Sequence, residues 1–118
     1  MNRSFLEIQA AKDAFLGQRE ELARVLGIQT VDLLIDRALT ETYDAYPRLR
    51  AISIESDELN LASLDEAFQN STFEEANTAL NALTAVMLMI LARLLGRRVA
   101  ESIAVNINRT DPRTALRA

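Results

Sequence analysis

The chain has 118 residues, 49% hydrophobic and 25% charged, with a net charge of −4. That composition fits one globular domain with its own core and excludes a wholly disordered chain. Cysteine and histidine are both absent, which excludes disulfides, thiolate zinc sites, cysteine nucleophiles, His phosphotransfer, Ser-His-Asp catalysis and HExxH metal motifs.

The charge is uneven. Residues 93–118 carry six arginines against Glu101 and Asp111, a net +4, while residues 1–92 carry seven basic and fifteen acidic groups, a net −8. At the N-terminus, Phe5 and Leu6 are the only apolar residues between Arg3 and Glu7. A secretory signal needs an unbroken apolar stretch, so none is expected here.

Residues 4–26 read as a first helix. Ser4 with Glu7 has the spacing of a capping box, and Ile8, Ala11, Phe15, Leu22 and Val25 form one apolar stripe. Gly17 weakens its middle by about 1 kcal/mol relative to alanine, and Gly27 is the expected stop. Lys12, the only lysine, sits beside the stripe and is expected to snorkel at its edge.

Residues 30–45 read as a second helix. Thr30 is the expected cap, Asp32 is expected in the first turn, where it suits the helix dipole, and Val31, Leu34, Ile35 and Leu39 form the buried face. Pro47 ends the helix by Tyr46, and Tyr43 and Tyr46 are expected to pack the corner.

The next stretch, 50–61, is ambiguous. Ile52 and Ile54 alternate with polar residues as in a strand. A lone strand lacks a partner, so it either pairs across a two-fold axis or is extended linker. A short helix follows in "LNLASLDEAF", with Ser63 as the expected cap and Glu66 as its capping-box partner. The acids Glu55, Asp57, Glu58, Asp65 and Glu66 match no calcium loop and read as a solvated face.

Residues 72 to about 107 read as one long helix, capped by Ser71 with Glu74 or by Thr72 with Glu75. Phe73, Ala76, Leu80, Leu83, Met87, Ile90 and Leu94 recur at spacings of three and four, a heptad seam. After Leu95 the series moves to Val99, Ile103 and Ile107, and Gly96 at the shift is the expected kink or hinge. Arg97 has Glu101 four residues on, a spacing that suits an ion pair.

This helix poses one choice. Positions 76–92 are free of charge over seventeen residues, the lower limit for a bilayer span, and Arg93, Arg97 and Arg98 would serve as positive-inside anchors. Against a span stand Asn77, Thr78, Asn81 and Thr84, and the lack of a flanking Trp or Tyr. Two preceding amphipathic helices also need a soluble partner surface, so the helix is expected to be a buried spine.

The resulting expectation is an all-α antiparallel bundle of three to four helices over residues 1–108, followed by a flexible tail or linker over 109–118. The long helix outreaches its neighbours, so the surplus apolar face implies a homodimer. Its interface, with a further protein partner as an option, is expected at Leu80, Leu83, Met87, Ile90, Leu94, Val99 and Ile103, with Gly96 as hinge. The expected role is a non-catalytic, cytoplasmic dimerisation or protein-interaction module of regulatory or signalling type, with no cofactor and no metal. The arginines, including Arg109, Arg113 and Arg117, have no aromatic neighbours for base stacking, which weighs against nucleic acid. Two alternatives remain: a membrane-associated protein anchored by 76–92, and a ligand-binding bundle with a pocket among Phe68, Phe73, Met87 and Met89.

Overall fold

The computed structural model describes residues 3–108; the expected tail at 109–118 lies outside them. The fold is all-α. Among the described residues there are five helices, α1 (Arg3–Leu26), α2 (Ile28–Thr42), α3 (Leu61–Ala67), α4 (Phe73–Leu95) and α5 (Arg97–Asn108). A 3-10 turn at Pro47–Ala51 and a two-strand hairpin, β1 (Ile54–Glu55) and β2 (Glu58–Leu59), fill the space between α2 and α3. Helices α1, α2 and α4 pack pairwise around one core, and α5 folds back onto α4 and α1.

The apolar stripes fall where their periodicity puts them. Ala11, Phe15 and Leu22 of α1 are buried, as are Val31, Leu34, Ile35 and Leu39 of α2. Val25 departs from the expected stripe and is exposed at the end of α1. Ser4 lies within α1 rather than ahead of it. Helix α2 begins at Ile28, two residues before Thr30, directly after Gly27 with φ 84°. Glycine fits that position because an L side chain is strained at such a φ.

Residue Asp32 therefore sits in the second turn of α2, not the first. It is fully buried, and it accepts two hydrogen bonds from Arg19 of α1, Nε to Oδ1 at 2.7 Å and Nη2 to Oδ2 at 2.8 Å. Its Oδ2 also accepts the Leu59 backbone N–H at 3.0 Å. A buried carboxylate needs such partners, because desolvation opposes its charge. The same hydrogen bonds hold the Arg19 guanidinium above its ordinary pKa, against the opposing effect of burial.

The strand at Ile54 finds its partner within the chain. Ile54 pairs with Leu59 and Glu55 with Glu58, antiparallel. The turn between them places Ser56 at φ 54° and Asp57 at φ 64°, the two left-handed positions of a type I′ hairpin turn. The acidic run at 55–58 is thus the hairpin tip. Helix α3 is capped by Asn60, whose side chain accepts from Ser63 N, rather than by Ser63. Ser63 instead donates to Asn60 O and accepts from Ser53 N, closing the loop.

Tyr43 and Tyr46 are half-buried against the core at the corner before Pro47. The Arg50 guanidinium lies 4.9 Å from the Tyr43 ring centroid, a cation–π distance.

The capping box of α4 is the Thr72–Glu75 pair, with Glu75 N donating to Thr72 Oγ1 at 3.1 Å. The long helix is not continuous. At Gly96, φ 94° and ψ 154° end α4, and α5 starts anew at Arg97. Glycine almost alone adopts this region, so the expected kink is a full break between two helices.

Candidate functional site

Helix α4 has two faces of different fate. Its inner face, Ala76, Asn77, Ala79, Leu80, Leu83, Thr84, Met87, Ile90 and Leu91, is buried by the chain's own packing. Five of the seven residues expected at a partner interface, Leu80, Leu83, Met87, Ile90 and Ile103, are therefore inside the single chain. Leu94 and Val99 are not, at 72% and 44% exposure. The structure thus divides the seven between core and surface.

One polar contact fixes α4 in rotation. Thr84 Oγ1 donates to Gln18 Oε1 of α1 at 3.0 Å, and both residues are buried. A satisfied polar pair in an apolar layer favours one register over its neighbours, because a shift would leave both groups unpaired.

The outer face carries Thr78, Asn81, Ala85 and Met89, all exposed, with Ala82, Leu88 and Ala92 half-buried beside them. Thr78, Ala82, Ala85, Met89 and Ala92 recur at spacings of four and three. That is a second heptad seam, opposite the first. Only a third of the most apolar eighteen-residue stretch of α4 is buried. The face has no charge from Ala76 to Ala92 and is edged by Glu74 at one end and Arg93 at the other. Neither edge residue forms an ion pair among the described residues.

At the α4–α5 junction Leu94, Leu95 and Val99 are exposed beside Arg93, Arg97 and Arg98. The expected ion pair between Arg97 and Glu101 does not form. Arg93, Arg97 and Arg98 therefore lie next to apolar side chains with no ion-pair partner among the described residues.

The four residues expected to share a ligand pocket are dispersed. Phe68 and Met87 are core residues, Phe73 is half-buried, and Met89 is 52% exposed on the outer face. Phe68 instead forms part of a cleft of about 610 Å³ with Phe5, Ile8, Gln9, Lys12 and Asp65. Lys12 does not reach out to solvent as snorkelling would have it. It is 8% exposed and its Nζ donates to Asp65 Oδ1 at 2.8 Å, tying α1 to α3.

The charged groups that the fold brings together are engaged structurally: Arg19 with Asp32, Lys12 with Asp65, Arg48 with Glu75. Backbone and side-chain hydrogen bonds at Thr72, and one from Arg48, hold the Glu75 carboxyl below its ordinary value of 4.5. Compared with known proteins, the chain matches no family model, no curated protein and no solved structure.

Proposed function

We propose that this chain is a non-catalytic protein-interaction module whose docking surface is the outer face of α4. One observation carries the reading: a charge-free seam of small and apolar residues, Thr78, Ala82, Ala85, Met89 and Ala92, lies outside the core of a helix whose inner face is already filled. An apolar surface of this kind, edged by charged residues, is what association covers. Small side chains allow close approach of a second helix, and the three-four spacing suits knobs-into-holes packing. A cytoplasmic, regulatory or signalling setting is part of the proposal: the compartment rests on the absence of cysteine and the regulatory role on the helical architecture.

A second reading has its own observation. Helix α4 is long and apolar enough by composition to cross a bilayer. Crossing would strip Leu83, Met87 and the Gln18–Thr84 pair of their partners in α1 and α2, which disfavours it.

The test is light scattering on protein prepared without detergent, alongside the variant Met89→Glu. The proposal expects soluble wild-type protein that self-associates or captures a partner, and a Met89→Glu variant that stays folded but no longer associates. Protein recovered only with detergent would instead establish the membrane reading.

A further inference from the structure

We propose that the occupant of the outer face of α4 is α4 of a second copy of this chain, antiparallel, with the two-fold axis at Ala85. This rests on the interaction-module reading and goes beyond it by fixing the partner, the direction and the register.

Charge placement carries the argument. Glu74 and Arg93 edge the outer face at opposite ends of α4, and both lack an ion-pair partner within the chain among the described residues. In a parallel pair, Arg93 would face Arg93 and Glu74 would face Glu74. In an antiparallel pair centred on Ala85, Arg93 lies level with position 77 of the other helix. That is about 4.5 Å along the axis from Glu74 of the partner subunit, within reach of an arginine side chain. Each end then meets its opposite charge, twice by symmetry. No charge between Ala76 and Ala92 opposes the approach.

Side-chain size supports the same register. Ala85 stands at the middle of the seam, and with the axis there Thr78 meets Ala92 of the partner subunit. Ala85 meets its own copy, while Ala82 lies level with Leu88 and Met89 with Asn81 of the partner subunit, so small residues stand at the axis and at both ends of the contact. Such a two-fold contact is isologous and closes, so it gives a dimer and not a fibre. A single helix pair lies at the small end of stable interfaces, so the dimer should dissociate on dilution.

The absence of cysteine makes the test clean, because each introduced thiol is the only one in its chain. A disulfide requires Cα atoms within about 7 Å. Ala85→Cys, at the axis, should cross-link to itself about tenfold faster than Glu41→Cys on the exposed side of α2. Thr78→Cys alone should not, since its two copies lie about 21 Å apart along the axis. A mixture of Thr78→Cys and Ala92→Cys chains should form the mixed dimer.

Charge reversal gives a second measurement. Arg93→Glu should weaken the dimer about threefold, and Glu74→Arg in the same chain should restore it.

Self-cross-linking of Thr78→Cys would overturn the antiparallel register. A wild-type dimer in which Ala85→Cys cross-links no faster than Glu41→Cys would place association on another face and overturn both this proposal and the outer face of α4 as the docking surface. A wild-type chain that is monomeric at all concentrations would overturn the second-copy occupant, leaving the broader reading to the capture of a different partner. Recovery only with detergent would remove both.

Discussion

The two faces of α4 are built from similar residues and serve opposite ends. Met87 is 2% exposed and Met89, two positions on, is 52% exposed. Composition does not separate them; rotation about the helix axis does. The inner face is fixed by Gln18 and Thr84 and by the packing of α1 and α2, whereas on the outer face Thr78, Ala85 and Met89 stay exposed. An apolar residue therefore stabilises the fold on one side of this helix and offers a contact on the other.

The largest effect should come from cutting the polar link between α1 and α2, the helices beneath the inner face. Asp32→Ala leaves Arg19 and the Leu59 N–H without their acceptor and should cost about 3–5 kcal/mol. Urea unfolding measures this, and a loss below about 1 kcal/mol would mean that the pair does not hold the helices.

Met87→Ala should cost about 2–5 kcal/mol through the cavity it leaves. Met89→Ala should stay within about 0.5 kcal/mol of wild type when measured on dilute protein. Equal losses at the two positions would erase the distinction between the faces.

Thr84→Val should cost about 1–3 kcal/mol, because Gln18 Oε1 then loses its donor inside the core. The helix cap comes after it: Thr72→Ala should cost about 1 kcal/mol through loss of the capping box.

The smallest effect is on pH dependence. The folded-state pKa of Glu75 lies below its unfolded value of 4.5, so its contribution is complete above about pH 4.5 and is lost as pH falls through the lowered folded value. Glu75→Gln should flatten the stability profile in that acid window and leave its shape near neutrality unchanged. Thermal midpoints between pH 3 and 7 would show an unchanged acid slope if the carboxylate did nothing there.

Helical positions were readable wherever apolar residues recur at three and four. Phe15, Leu22, Leu34, Ile35, Leu83 and Met87 went to the core because their stripes had one solution. Partners distant in sequence were not readable. Asp32 looks like a first-turn acid, yet it sits three residues before Ile35 and seven before Leu39, on the apolar stripe. Arg19 likewise sits four after Phe15 and three before Leu22. A charge on each of two facing stripes was the signal for their pairing.

Residues 82–95 of α4 hid the candidate surface for a different reason. They are apolar nearly all round, so the seam from Phe73 to Leu94 drew the eye and the one through Ala85 was masked. Turn chemistry accounts for the missed hairpin, since Ser-Asp is a weaker sequence signal for a type I′ turn than Asn-Gly. At Gly96 the sequence showed a shift in period but not that the helix ends there.

The polar links also differ in how much chain they enclose, and this bears on the order of assembly. Arg19 and Asp32 are 13 residues apart, Asp32 and Leu59 are 27, and Gln18 and Thr84 are 66. Closing the longest of these loops costs about 1.4 kcal/mol more in chain entropy than closing the shortest. Loop entropy thus favours closing α1 on α2 before α4 docks onto the pair. Mutations at the Arg19–Asp32 pair should chiefly slow folding, and those on the inner face of α4 should chiefly speed unfolding.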